Sequence, residues 1–326
     1  MKVLFIGGTG IISSACTELA ARQGIDLHLL SRGNSSRPAP DGVKILRGDI
    51  NNSASVLDGH TWDAVVDWIV YTPDQIERDI NLFRGKTAQY VFISSASAYQ
   101  TPPSRLPVLE STPLDNPFWE YSRQKAACEE RLTRAYREEK FPFTVVRPSH
   151  TYDKTLLPFD NGYTVLHRIL NGLPVCVHGD GTSLWTLTHH ADFAKGFNGL
   201  LGYSGAIGDS VHITSDEWLT WNQIYDLHAH AASRLTGRAI VAEKRYLPST
   251  KIAEIDPGRR GGLLGDKANS MVFDNSKIKA MVPGFACTTP FSRGVMEIVG
   301  HYLENPGTVD PDRMAMEDRL CALAAG

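Results

Sequence analysis

Four apolar residues, Val3 to Ile6, run directly into Gly7-Gly8-Thr9-Gly10, and a helical pattern begins at Ile11 and lasts to Gln23. A short β-branched run that ends in glycines and gives way to 3.6-residue periodicity is a strand–turn–helix unit. Gly24 stands where a helix C-cap belongs. Further short apolar runs at 26–30, 43–46, 64–70, 90–94 and 143–147 read as strands, with a helix over 73–83. Strands joined by helical crossovers pair in parallel, and right-handed crossovers place helices on both faces of the sheet. The fold class this predicts is α/β, a doubly wound parallel (Rossmann) sheet.

The second half is patterned differently. Residues 99–119 are proline-rich and aperiodic, which predicts a long surface loop. Asn116-Pro117 then reads as a cap followed by a first-turn proline, predicting a helix from there to about Lys140. Beyond Tyr152 only isolated short elements follow: helices over 165–170, 191–201, 221–235 and 291–303, and a strand over 174–177. The predicted organisation is a dinucleotide-binding domain over 1–155, completed by a segment near 180–215. Residues 156–326 are predicted to form a smaller, irregular C-terminal substrate lobe.

Composition excludes several classes. The 326 residues are 42% hydrophobic and 21% charged with a net charge of −3, so neither disorder nor a basic nucleic-acid surface is expected. No apolar run is long enough to span a membrane, and the residues after Met1 are far short of a secretory h-region. The five cysteines are far apart, without metal-type spacing. A cytoplasmic protein that binds no nucleic acid and no membrane is expected.

Three motifs carry chemistry. At Gly7, Thr9, Gly10, Ile11 and Ile12, backbone N–H groups at a helix N-terminus can meet a pyrophosphate, with Ser13 in the third small position. In Tyr121-Ser122-Arg123-Gln124-Lys125, a phenol and an ammonium four apart share a helix face. A cation there is expected to lower the phenol pKa and make it a base near neutrality. The third, Ser94-Ser95-Ala96-Ser97-Ala98-Tyr99, leaves a strand at its C-terminal end, where open α/β sheets bind ligands.

In this order and spacing the motifs resemble the extended short-chain dehydrogenase/reductase superfamily, specifically the NAD-dependent epimerase/dehydratase family. Gly48-Asp49-Ile50, Glu110-Ser111-Thr112-Pro113, Val146-Arg147-Pro148, Gly179-Asp180-Gly181 and Phe273-Asp274-Asn275-Ser276-Lys277-Ile278 extend the likeness nearly end to end. The resemblance implies that Ser95, Tyr121 and Lys125 are catalytic, Tyr121 as acid/base and Lys125 as its partner on the nicotinamide ribose. It implies adenine contacts at Asp49 and Ile50, a nicotinamide-side contact at Pro148, and a homodimer built on the helices near Pro73 and Pro117.

The chain also departs from that family. The second strand ends Leu30-Ser31-Arg32, without the usual acid, which favours NADP slightly over NAD with Arg32 as a phosphate contact. Ala96 and Ser97 replace the Asp-Glu pair of dehydratases, so elimination is disfavoured. Trp185 stands where an arginine usually meets the substrate diphosphate, and His150 where asparagine is common. Ser97, His150 and Trp185 are therefore candidate substrate contacts, each with a structural alternative. Val66-Asp67-Trp68 has no assigned role. His189-His190-Ala191-Asp192 is rejected as a zinc site, its Asp192 taken as a solvent or interface residue. His228 and His230 read as surface residues, and Arg259-Arg260 among glycines as a solvated, mobile basic loop. The expected activity is NAD(P)-dependent, epimerase-type oxidation and reduction of a carbinol on a sugar or nucleotide sugar. The alternatives are an NADPH-dependent carbonyl reductase and a non-catalytic dinucleotide-binding or RNA-associated relative.

Overall fold

The computed structural model describes residues 1–325. In chain order the first half contains β1 (Lys2–Ile6), α1 (Ile11–Arg22), β2 (Asp26–Ser31), β3 (Lys44–Arg47), α2 (Ala54–Leu57), β4 (Ala64–Asp67), α3 (Pro73–Phe83), β5 (Tyr90–Ile93), α4 (Glu120–Glu139) and β6 (Phe143–Pro148). Then come β7 (His150–Tyr152), α5 (Tyr163–Leu170), β8 (Val175–His178), β9 (Leu184–Trp185), β10 (Leu187–His189), α6 (His190–Leu200) and β11 (Asp209–Ile213). The remainder is β12 (Leu219–Thr220), α7 (Trp221–Thr236), β13 (Lys244–Leu247), α8 (Ser249–Ile255), α9 (Arg260–Gly262), α10 (Ser276–Met281), α11 (Phe291–Glu304) and α12 (Pro311–Leu323).

Seven strands form one sheet in the order β11-β6-β5-β4-β1-β2-β3, and every pairing in it is parallel. This is the doubly wound α/β sheet that the alternating pattern predicts. Its central strands β1, β4 and β5 are buried almost throughout and apolar except at Lys2 and Asp67, because helices cover both faces. Phe5, Val66 and Val146 pack toward α1 and α6 on one side, Leu4, Val65 and Phe92 toward α3 and α4 on the other. Each such side chain contributes about 1.5–3 kcal/mol on burial. The strand order reverses between β1 and β4, and a cleft opens there along the C-terminal edge.

The last strand of the sheet arrives from far down the chain, since β11 at 209–213 adds beside β6. The remaining chain forms two-stranded pieces, β7–β10, β9–β12 and β8–β13, wrapped by α5, α7 and α11 around Trp221, Phe291 and Ile298, with α12 packed on β8 and β13 through Leu320 and Cys321.

Several local expectations need correction. The helix expected at Asn116 starts at Glu120, with Trp119 at its N-cap. Asn116 Oδ1 still accepts from the Phe118 N–H at 3.2 Å, while its Nδ2 donates to the carbonyls of Ser97 (2.8 Å) and Gly265 (2.6 Å). The local bond forms, but it closes a turn ahead of the helix, and the same side chain is tied to two distant stretches of backbone. The 99–119 loop is not simply a surface loop: Tyr99 and Val108 are fully buried, and Val108 bridges to Phe273. The strand expected over 64–70 ends at Asp67, whose carboxylate accepts from the N–H of Ile69.

Three charged or polar readings also change. His228 lies wholly inside α7's packing, and burial pushes its imidazole down to about 4. Asp192 is buried, accepting from the N–H groups of Thr288 and Thr289 and from Lys195. Arg259 is not free in solvent, since it pairs with Asp160 (3.2 Å) and Glu317 (3.6 Å).

Candidate active site

The glycine turn sits at the C-terminal end of β1 in a conformation other residues resist. Gly7 and Gly8 have φ of +93° and +108°, and a Cβ on Gly8 would lie 2.8 Å from Leu29 Cδ2. Thr17 Oγ1 donates to the Gly8 carbonyl at 2.7 Å, and Ser13 Oγ accepts from the Gly10 N–H at 2.8 Å. Serine in the third small position thus closes the turn itself. The N-cap is glycine, with no side chain to cover the first amides of α1.

Three adjoining hollows run along the sheet edge. The first, of about 400 Å³, is lined by Gly7, Thr9, Arg32, Asp49, Ile50 and Arg78 among others. Asp49 is engaged locally, accepting from the backbone and side-chain nitrogens of Asn51, both at 2.9 Å. The second, of about 370 Å³, is lined by Gly10, Ile11, Ile12, Trp68, Tyr71, Ser95, Tyr121, Lys125, Pro148 and His150. The third, of about 190 Å³, shares Ser95, Tyr121, Pro148 and His150 with the second and adds Ser97, Trp119, Trp185, Asp266 and Phe273. Every residue singled out in the sequence as catalytic, cofactor-binding or substrate-contacting lines one of these hollows.

At the junction, three hydroxyls form a chain. Ser122 Oγ donates to Ser97 Oγ at 2.8 Å, and Ser97 Oγ is 2.9 Å from Ser95 Oγ. Ser95 Oγ also accepts from the Ser97 N–H at 3.2 Å. With donors running from Ser122 through Ser97 to Ser95, the Ser95 proton remains available to a ligand oxygen. This gives Ser97 a function the sequence did not specify, as a support for Ser95.

The phenol and the lysine behave differently from expectation. Burial pushes Tyr121 up to about 12, and the hydrogen bond with Ser95 is the influence that lowers it. Lys125 Nζ donates to the carbonyls of Val70 (2.6 Å) and Ile93 (2.8 Å) and lies 5.7 Å from the centre of the Tyr121 ring. Burial brings this ammonium down to about 8. The expected lowering of the phenol by its neighbour is therefore corrected: burial holds the Tyr121 phenol above its ordinary value, and Lys125 is directed to backbone carbonyls instead. His150 is likewise not an acid near neutrality, since burial first and Lys267 second push it down to about 3.

Behind the hollows, Arg147 pairs with Glu129 (2.5 Å), which also accepts from Ser94 Oγ at 2.5 Å. Arg147 Nη1 reaches the Tyr99 hydroxyl at 3.0 Å, and that oxygen contacts His212 Nδ1 at 3.0 Å. This buried network ties α4, β5, β6 and β11 together directly beneath Ser95. Asp67 belongs to a second one: it does not line the cleft, and it pairs with Arg78 at 3.2 Å beside Asp79. Trp68 does line it.

Two contributors escaped the sequence. The Trp119 ring lies 4.9 Å from that of Tyr121, tilted by 41°, and the glycine-rich stretch closes over it, with a Cβ on Gly261 falling 2.4 Å from Trp119 Cδ1. Asp266 lies in a π-helical turn over Leu263–Lys267. The run of glycines at 258, 261, 262 and 265 was the available signal, one of close approach to an aromatic ring rather than of mobility.

Comparison with known proteins places this geometry. Residues 76–213 match the NAD dependent epimerase/dehydratase family. The chain is 25% identical over 241 residues to 2'-dehydrokanamycin reductase of Streptomyces kanamyceticus, covering 72% of this chain and 67% of that protein. It is 27% identical over 169 residues to UDP-glucose 4-epimerase of Lactobacillus helveticus, covering 45% and 51%. The chain thus spans about half to two thirds of these relatives' own lengths. Among solved structures, the UDP-glucuronic acid 4-epimerase of Bacillus cereus, in complex with UDP-glucuronic acid and NAD, superposes with a TM-score of 0.72 at 18% identity, covering 94% of this chain and 100% of that one. The epimerase/dehydratase likeness read from the motifs and the α/β sheet that carries it are both borne out.

Proposed function

We propose that this protein is an NADP-dependent oxidoreductase that reduces a carbonyl to a carbinol on a sugar-type substrate at Ser95 and Tyr121. The observation that carries the reading is the junction itself, where a nucleotide-sized cleft and a separate small pocket meet at the hydroxyls of Ser95 and Tyr121.

The cleft suits a dinucleotide. The α1 N-terminus favours an anion, and the backbone at Gly8 leaves no room for a side chain that would obstruct approach. The β2 exit ends in Ser31 and exposed Arg32, and Arg47 folds against Gly33 beside it. Two guanidinium groups at that strand exit, with the one carboxylate of the hollow, Asp49, engaged by Asn51, suit a 2′-phosphate better than a bare ribose diol. This supports NADP over NAD. Lys125, held by two carbonyls on the second hollow, is placed to meet a ribose hydroxyl with its remaining N–H.

When bound, the reduced dinucleotide supplies a hydride to the carbonyl carbon and leaves oxidised. Ser95 donates its free proton in a hydrogen bond that orients the carbonyl oxygen. Tyr121 gives its proton to that oxygen as negative charge develops, completing the carbinol. A phenol with a raised pKa is in the correct form for this direction at neutral pH. Carbinol oxidation would need the phenolate, so it should quicken as pH rises toward 12.

The reductase reading is preferred to epimerisation on one further point. Returning a hydride to the opposite face requires a keto intermediate to be held while it turns, usually by a remote anchor. Among the described residues, no lysine or arginine lines the third hollow to hold a diphosphate. The reductase relative agrees with this direction. The test is NADPH oxidation against a panel of keto-sugars: turnover in the wild type, lost in Tyr121→Phe with NADPH affinity retained, supports the reading. Equal turnover in Tyr121→Phe refutes it.

A further inference from the structure

The third hollow has an unusual balance of polar groups. Half-buried Asp266 lines it, and its carboxylate has no hydrogen-bond or ion-pair partner among the described residues. The nearby ammonium of Lys267 is already committed, 2.9 Å from Asp160, and Arg259 is committed to Asp160 and Glu317. Two more polar atoms in the same lining are buried without partners, Trp185 Nε1 and His150 Nε2. Trp185 is 3% exposed and its indole N–H can only donate. Buried groups are costly to leave unpaired, so these two, beside an unpaired carboxylate, describe what should fill the cavity. The lining otherwise offers flat apolar walls from Trp119, Met271 and Phe273 that suit the face of a sugar ring.

We propose that Asp266 is the specificity-determining residue of this pocket, binding the ammonium of an amine-bearing sugar while Trp185 donates to one of its oxygens. This rests on reading the hollow as the substrate site, and it deepens that reading by naming the substrate class. A lone carboxylate walled by aromatic rings repels a phosphate, accepts weakly from a hydroxyl, and gains most from a cation that removes its charge from a poorly solvated site. The carboxylate sits in a π-helical turn, a local irregularity that aims a side chain where a regular helix would not. The groups facing it are Lys267, Asp160, Tyr121 and His150; burial outweighs the help from Lys267 and brings Asp266 up to about 7. Below that pH the carboxyl is neutral and has no claim on a cation. The preference for an amine should therefore appear as pH rises through 7 and last until the amine itself deprotonates.

The experiment titrates intrinsic tryptophan fluorescence with glucosamine, glucose and UDP-glucose, on wild type and Asp266→Asn, with NADPH titrated separately. Wild type should bind glucosamine about tenfold more tightly than glucose, the scale of one charge-assisted hydrogen bond. UDP-glucose should bind no better than glucose. Asp266→Asn, nearly isosteric, should erase the tenfold difference and leave NADPH binding unchanged. Equal binding of the two monosaccharides, failure of both to bind, tighter binding of UDP-glucose, or a preference that survives in Asp266→Asn each overturns the proposal. Loss of NADPH binding in the wild type would instead sink the oxidoreductase reading, which the sugar comparison does not depend on.

Discussion

The two ends of the cleft differ in charge. At the β2 edge, Arg32 and Arg78 line the hollow below the glycine turn together with Asp49, which is engaged by Asn51, whereas the hollow beyond Ser95 holds a single carboxylate and aromatic walls. In the sheet half Arg32 is without a side-chain partner among the described residues and is left for a ligand, while Arg78 is shared with Asp67 and Asp79. In the C-terminal lobe the basic groups nearest the pocket, Arg259 and Lys267, are consumed by Asp160 and Glu317. The lesson is that a phosphate-bearing molecule has one place to go along this cleft, and the other place suits something without phosphate.

The contrast can be broken at the junction first. Tyr121→Phe removes the proton that completes reduction and should lower kcat by about 10²–10⁴, the usual worth of general acid catalysis, while NADPH affinity measured by fluorescence stays within a few-fold. Next comes the support beneath it. Glu129→Ala leaves Arg147 buried and unpaired below Ser95, which should cost about 3–5 kcal/mol in urea unfolding. A loss below 1 kcal/mol would mean that the network is dispensable.

Much of this was legible from the chain, for reasons that differ between the halves. Strands buried on both faces must be continuous apolar runs, so β1, β2 and β5 stand out, and Pro73–Phe83 is read to the residue because Thr72 and Pro73 give an unmixed start signal. The lobe is written in tertiary terms instead. Asn116-Pro117 makes the local bond of a helix start, Oδ1 accepting from the Phe118 N–H, yet the helix begins only at Glu120, and Asn116 Nδ2 is bound to Gly265, a residue 149 positions away. The same type of signal at Asp310-Pro311 leads directly into α12, with Asp310 accepting from the N–H groups of Asp312 and Arg313. The residues lining the cleft follow from motifs, but their chemical states do not. Spacing puts Tyr121 and Lys125 on one face; only packing reveals that Lys125 turns to the carbonyls of Val70 and Ile93 and that burial raises the phenol. Asp266 belongs to no motif and is visible only once the lobe has folded around Trp119.

The arginine end can be sharpened by Arg32→Asp, which restores an acid near the ribose. It should weaken NADPH about tenfold or more and leave NADH equal or better, read by paired fluorescence titrations. The smallest effect is expected from Ser97→Ala. It removes one link of the hydroxyl chain yet leaves Ser95 its own proton, so kcat should fall only several-fold, with KM nearly unchanged.

The most direct measurement is the stoichiometry of turnover. One NADPH should be oxidised for each carbinol formed from a keto-sugar, in a reaction that Tyr121→Phe abolishes. Interconversion of two sugar isomers with no net NADPH consumption would contradict the account.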